Sequence, residues 1–409
     1  MSTERIRMSS SIGSGGSVSV RWAFMLITTL FFMWGVSYGL LDVLNKHFQE
    51  TLHVTKAQSG LLQGAYFGAY FLVAMPAGYF MSRRGYKAGI LAGLMLYAVG
   101  ALLFVPAAMV NNFMMFLFAL FVLACGLGCL ETAANPYATV LGDPNGAERR
   151  LNLAQSFNGL GQFVGPMIGG TLFFSQTTAD EAQDTVKMTY VAIACVVIGI
   201  AFLFKRTALP DIRESEEAAA QHGNTSLWQQ KHFVGGVVAQ FFYVAAQVGV
   251  GAFFINYATE HWHGVTNQSA SYMLSVAMIC FMLGRFFSTW LMGRVAPALI
   301  LASYAAINIV LCGVVMLGLG DVSVVALVAI FFFMSTMFPT IFAMGVKNLG
   351  NATKQASSFM IMAIVGGAIM PYFMGLISDK LSTAVSYGLP LLCFVVVLFY
   401  ALSQRRNAA

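Results

Sequence analysis

A chain of 409 residues that is 58% hydrophobic and only 9% charged, with a mean hydropathy of +0.74, cannot cover itself with a water-soluble surface, since ordinary globular domains are about 25% charged. The formal net charge of +6 raises the question of nucleic acid. The basic residues, however, are scattered through short breaks between apolar runs and form no patch or stripe, so no nucleic-acid partner is expected and the lipid bilayer is the expected solvent.

The chain opens on a polar, Ser/Gly-rich tail, residues 1–21, followed by an apolar run too long for the core of a signal peptide. Stretches of roughly 20 apolar residues, enough to cross a bilayer, then recur throughout. They predict about twelve helices near 22–46, 57–82, 88–108, 113–140, 151–175, 187–204, 232–258, 268–292, 298–317, 323–345, 356–378 and 386–403. The longest polar stretch, 205–231, holds Pro210, Asp211, Arg213, Glu214, Glu216 and Glu217 and divides the spans evenly. The expectation is an all-α integral membrane protein with six-helix bundles at 22–204 and 232–404, a linker at 205–231, and a short tail at 405–409. The bundles would surround a central cavity.

All six cysteines fall inside predicted spans and are expected to be buried free thiols. Cys125 and Cys129 lie one turn apart, but with no further ligand beside them they suggest packing and no metal. No metal or organic cofactor is expected, and no phosphate-binding Gly-x-x-x-x-Gly-Lys-Ser/Thr loop is present for ATP. A gradient must supply the energy.

Cytoplasmic loops carry the excess of Lys and Arg. Placing the N-terminus inside puts Arg83, Arg84, Lys87, Arg149, Arg150, Lys205, Arg206, Lys347, Arg405 and Arg406 inside, and leaves Lys46, Lys56, Lys187 and Lys380 outside. Both termini are therefore expected in the cytoplasm of a plasma membrane, as in a bacterial inner membrane. The halves also echo each other: Gly161, Pro166 and Gly170 share their spacing with Gly366, Pro371 and Gly375, as two parallel repeats would require.

Of the sixteen acidic residues, Asp42 and Glu131 alone are embedded in otherwise apolar helices. An ionised carboxylate at the bilayer centre costs about 2.5 to 3.5 kcal/mol on insertion scales, so such groups usually face a cavity and carry function. Loss of hydration favours the protonated form, which suits an acid that loads a proton on one side and releases it on the other. The competing reading is a buried ion pair. Within the spans the only basic residue is Arg285, near a span end, although Lys46 stands one turn after Asp42 and is long enough to snorkel toward it.

Near Glu131 stand Thr132, Asn135 and Pro136, and the fifth span opens with Asn152, Gln155 and Asn158 close to one helical face. Amides bond sugar hydroxyls as donor or acceptor, while rings such as Trp34, Tyr38, Tyr66 and Tyr70 cover C–H faces. Two roles stay open for the amides, substrate contact or helix-to-helix hydrogen bonding; for the rings, substrate contact or packing. In the seventh span stand Tyr243, Gln247 and Asn256. Gln247 is expected to hold a place comparable to Asp42, so that the second half binds without titrating.

Gly78-Tyr79-Phe80-Met81-Ser82-Arg83-Arg84-Gly85-Tyr86-Lys87 resembles the signature loop of the major facilitator superfamily, with Ser82 where that family usually carries Asp. Gly128-Cys129-Leu130-Glu131-Thr132-Ala133-Ala134-Asn135-Pro136, Arg150-Leu151-Asn152-Leu153-Ala154-Gln155-Ser156-Phe157-Asn158, Phe338-Pro339-Thr340-Ile341-Phe342 and Lys347-Asn348-Leu349-Gly350 resemble the fucose, galactose and glucose proton symporters of that superfamily. The likeness runs from about Phe31 to Arg405. It implies that Asp42 and Glu131 are the two essential membrane carboxylates, that Gln155 and Asn158 are substrate-side amides, and that a proton is the coupling ion. Tyr38 and Gly39 replace adjacent Asn residues of the fucose permease, and Gln355 replaces a Tyr.

The expected function is proton-coupled import of a monosaccharide by alternating access, by a monomer. Asn135, Gln247, Tyr66 and Gln355 complete the expected substrate surface, and Gly78, Arg83, Arg84, Gly85 and Arg285 the structural and gating set. Drug efflux on the same fold is one alternative. An intramembrane enzyme using Asp42 and Glu131 as acid and base on a lipid-linked sugar is the other.

Overall fold

The computed structural model describes residues 20–140, 147–174, 179–207, 227–347, 349 and 353–408. The tail at 1–19 and most of the expected linker lie outside these residues.

The first half comprises α1 (Val20–Thr51), the short α2 (Lys56–Ser59), α3 (Leu61–Arg84), α4 (Tyr86–Val110), α5 (Phe113–Val140), α6 (Ala147–Phe173) and α7 (Ala179–Arg206). The second comprises α8 (Lys231–Ala252), α9 (Phe254–His261), α10 (Asn267–Met292), α11 (Pro297–Met316), α12 (Asp321–Met334), α13 (Met337–Gly345), α14 (Thr353–Met362), α15 (Gly366–Lys380), α16 (Thr383–Ser386) and α17 (Gly388–Ala408). Among the described residues ten helical stretches are long and apolar enough to cross a bilayer. With α3 and α6, whose glutamines, asparagines and terminal arginines lower their apolarity, they make the expected set of spans in two bundles.

Three expected spans are interrupted. The seventh breaks at Phe253 (φ −106°, ψ 10°) between α8 and α9. The tenth breaks at Ser335–Thr336, where Pro339 in the first turn of α13 has no N–H to donate and the Ser335 hydroxyl takes the Phe332 carbonyl at 2.7 Å. In the eleventh, a 3-10 turn at Ala363–Val365 separates α14 from α15. Leu72, Met75, Phe118, Phe202, Phe286 and Phe399 belong to the apolar exterior, which suits acyl chains and no other solvent. All six cysteines are free. Cys129, Cys312 and Cys393 are buried as expected, but Cys195 is exposed on α7, on a face it shares with Val196, Ile198 and Phe202.

Glycines set the helix crossings. A Cβ on Gly161 of α6 would lie 2.2 Å from the Phe32 carbonyl oxygen of α1, and a Cβ on Gly366 would lie 2.2 Å from the Phe241 carbonyl oxygen of α8. The repeated spacing thus serves the same backbone-to-backbone approach in each half. This equivalence corrects the expected register: with Phe32 matched to Phe241, Tyr38 is the counterpart of Gln247, and Asp42 is the counterpart of Gly251.

The halves meet at one end of the bundle. Gly60 and Gly64 of the first half lie against Pro371 and Ala368, and Ala57 against Gly375. Toward the opposite end, which carries Arg83 and Arg84, a Cβ on Gly68 or Gly78 would meet nothing from another helix within 4 Å, and Phe71 and Met75 are exposed.

Gly161→Leu and Gly366→Leu should each destabilise the detergent-solubilised protein by about 1 to 3 kcal/mol, the usual cost of overpacking. Gly199→Leu and Gly313→Leu, at positions with open space, should leave its thermal unfolding midpoint unchanged.

Candidate substrate and proton site

α1 and α3 bring the first acid to the midst of the molecule. Asp42 is 2% exposed, and its Oδ1 accepts from Gln63 Nε2 at 3.3 Å. Its Oδ2 has no hydrogen-bond partner and lies 2.9 Å from where a Cβ on Gly251 would stand. Lys46 does not reach it; that ammonium pairs with Glu50 at 3.3 Å. Asp42 therefore faces neither lipid nor a cation.

Glu131 sits half-buried on α5, within electrostatic reach of the Tyr66 and Tyr70 hydroxyls on α3. Among the described residues it has no ion-pair or hydrogen-bond partner. Tyr66 and Tyr70 stack at 5.2 Å with hydroxyls 3.3 Å apart, and Tyr38 meets Tyr66 edge-on at 6.3 Å. The half-buried Trp34 directs its indole at Tyr66. The four expected rings thus form one wall beside the second acid.

The expected amides of the fourth and fifth spans are engaged in contacts within the first half. Gln155 Nε2 donates to Asn135 Oδ1 at 3.2 Å, linking α6 to α5, and Asn158 Nδ2 donates to the Phe31 carbonyl of α1 at 3.2 Å. Gln162 Nε2 donates to Asn158 Oδ1 at 2.7 Å. In this conformation the amides hold helices together. Gln162 was not anticipated, although it continues the face of Gln155 and Asn158 by one further turn.

Gln162 also lines a narrow chamber with Tyr38 from the first half and Gln247, Gly251, Met278, Phe281, Phe331 and Met334 from the second. Arg285 lies about two turns before the end of α10: its Nε donates to the Ser335 carbonyl at 3.4 Å and its guanidinium lies over Phe281 at 5.1 Å. No carboxylate pairs with it among the described residues. The side chain of Gln355 lies outside the described residues.

The signature-like loop sits at the far end from the junction. Gly85 joins α3 to α4 with φ +82°, a conformation suited to glycine. Arg83 stacks on Tyr79 at 4.5 Å, Arg84 is exposed, and Gly78 faces open space.

Polar groups join the halves at the other end. Lys56 Nζ pairs with Glu260 at 2.5 Å and donates to Thr383 Oγ1 at 2.7 Å. The carboxylate of Asp379 accepts from the backbone N–H groups of Lys56 and Ala57 at 3.0 and 2.9 Å, and Asn267 Nδ2 donates to both oxygens of Glu50 at 2.7 Å. Deeper in, Gln49 and Asn256 exchange hydrogen bonds of 3.3 and 2.5 Å. This arrangement is a clasp between the bundles, and it closes the end of the chamber nearest Asp42.

Residues 23–371 match the family model described as Major Facilitator Superfamily. The chain is 39% identical to the L-fucose-proton symporter of Escherichia coli K12, over 97% of this chain and 96% of that one. It is 37% identical to the glucose/galactose transporter of Brucella abortus biovar 1 (strain 9-941), over 94% and 95%. A crystal structure of a superfamily transporter, FucP, in the outward conformation superposes with a TM-score of 0.70 at 38% identity, over 95% of this chain and 99% of that one.

Gly251→Ala should push a methyl group into the Asp42 carboxyl and hold the clasp apart. The expected result is sugar exchange lowered about tenfold, the scale of a kilocalorie-sized clash. Exchange at the wild-type rate would mean that Asp42 does not press on α8 during the cycle.

Proposed function

The chain belongs to the Major Facilitator Superfamily, and from that premise we infer that it is a proton-coupled symporter importing a monosaccharide, L-fucose or a related hexose, by alternating access. The observation that carries this reading is the pair of carboxyl groups, Asp42 and Glu131, held inside the bundle without a cationic partner among the described residues. The relatives named above, one a fucose–proton symporter and one a glucose/galactose transporter, support a sugar as substrate and a proton as coupling ion. The protein is a multi-pass inner-membrane transporter, and its sugar leaves chemically unchanged.

The roles divide by surroundings. Glu131, beside the aromatic wall, is the proton carrier. Asp42, beneath the clasp, links occupancy to the conformational switch. Trp34, Tyr38 and Tyr66 cover the C–H faces of the sugar, while Gln247 and, on exchanging their present hydrogen bonds, Gln155, Asn135 and Asn158 take its hydroxyls. Gln355 is assigned to the same surface by resemblance. Gly78, Arg83, Arg84 and Gly85 form a hinge between spans, and Arg285 acts as a gating cation.

The positive-inside rule puts the Arg83–Arg84 end and both termini in the cytoplasm. The clasp then closes the outer face, and the chain stands in a conformation turned toward the cytoplasm. Each chain carries both bundles and its own chamber, so a monomer suffices. A line of amides beside the acids favours a hydroxyl-rich substrate over the amphipathic drugs of an efflux pump.

Reconstituted in liposomes, the wild-type protein should accumulate labelled sugar when the outside is made acidic, and Glu131→Gln should abolish accumulation while keeping gradient-free exchange. Full accumulation by Glu131→Gln would remove Glu131 from the proton pathway.

A further inference from the structure

Asp42 terminates a run of amides, buried but for the half-buried Gln49, that reaches the clasp. Asp42, Asn45 and Gln49 share one face of α1, with Gln63 contributed by α3 and Asn256 by α9. Asn256 Nδ2 donates to Gln49 Oε1 at 2.5 Å, Gln49 Nε2 to Asn45 Oδ1 at 2.8 Å, Asn45 Nδ2 to Gln63 Oε1 at 3.3 Å, and Gln63 Nε2 to Asp42 Oδ1 at 3.3 Å. Asn45, Gln63 and Asn256 are fully buried. Along this run each amide donates toward the carboxyl group, while Gln49 Nε2 also reaches Ser59 Oγ at 2.8 Å and Asn256 Oδ1 at 3.3 Å; only the Gln49–Asn256 pair crosses between the bundles.

Resting on the symport reading, we propose that Asn45, Gln49, Gln63 and Asn256 form a relay that couples the proton occupancy of Asp42 to closure of the clasp. Amides aligned head to tail polarise one another, and a charged acceptor at the end strengthens each bond in turn. Adding a proton to Asp42 removes that charge, and the change is felt at the Gln49–Asn256 pair. Conversely, when the bundles part and Asn256 leaves, the run loses its first donor and Asp42 loses part of its support. Linkage makes the two effects reciprocal.

Few other groups act on this carboxyl. From α3 it meets Gln63, from α8 the backbone at Gly251, and the ionisable groups in electrostatic reach are Tyr38 on its own helix and Tyr387 of the second half. Lys46 is turned to Glu50. Asn45, Gln49, Gln63 and Asn256 are positioning residues, since none of them lines the chamber between the halves.

The test uses the full chain in proteoliposomes and reads two quantities for each variant: exchange of labelled sugar without a gradient, and accumulation driven by acid outside. Asn45→Leu cuts the relay and leaves the Gln49–Asn256 pair in place; Asn256→Leu removes the clasp end. Both should lower accumulation about tenfold, the scale of one buried hydrogen bond, with exchange kept within about twofold. Both should also flatten the rise in accumulation on acidification. Wild-type behaviour of Asn45→Leu beside a defective Asn256→Leu would overturn the relay and leave only a latch. A parallel fall of exchange and accumulation in both variants would overturn it too, since that is what a structural role gives. If the leucine variants do not purify, Asn45→Ser and Asn256→Ser are judged by the same two quantities. Wild-type protein that exchanges sugar yet accumulates none would overturn the symport reading itself, whereas a defect confined to the variants bears on the relay alone.

Discussion

A carboxyl group taken out of water inside a helical bundle is the constraint around which this structure is arranged. Such a group is tolerated in lipid surroundings only when paired, hydrogen-bonded or free to take up a proton. Asp42 has no cation; it has one amide, one unpartnered oxygen and a glycine backbone pressed close to it. Glu131 has a wall of tyrosines and no pairing at all among the described residues. Both groups are therefore placed to respond to a proton in a way that a salt-bridged acid is not.

The internal repeat explains why Asp42 fits where it does. Equivalent glycines bring α6 onto α1 and α15 onto α8 through the same kind of carbonyl contact. In that register the position that carries an acid in the first half carries Gly251 in the second. The two counterparts face each other across the bundle interface, and the smaller makes room for the larger. Tyr38 and its counterpart Gln247 line the chamber together, so the halves contribute a ring and an amide to the same space. Both isolated carboxyl groups thus belong to one half, and the backbone that makes room for Asp42 to the other.

Much of this was legible in the residues. Apolar run lengths gave the spans and their division, and the isolation of Asp42 and Glu131 among apolar neighbours marked the acids. The break at Phe253 was not legible, because no proline stands in the seventh span; the break at Ser335 had a local signal in Pro339, hidden within one continuous apolar run. The place of Gln247 was misjudged for a related reason: its pairing with Tyr38 follows from where Gly161 and Gly366 touch their partner helices, a tertiary fact. Gln63, Asn45, Gln49 and Gln162 drew no notice, since single amides in membrane helices are ordinary and only the fold reveals that Asn45, Gln49, Gln63 and Asn256 form one line. The clasp through Lys56, Glu260 and Asp379 joins residues far apart in sequence and had no local signal.

The central claim is that sugar and proton move together through this chain. The most direct measurement is the pH outside proteoliposomes, held without any ion gradient, when sugar is added. The account predicts that the medium turns alkaline as sugar enters, and that the signal disappears in the doubly substituted Asp42→Asn, Glu131→Gln protein while sugar still binds. Entry of sugar into wild-type vesicles with no change in external pH would contradict it.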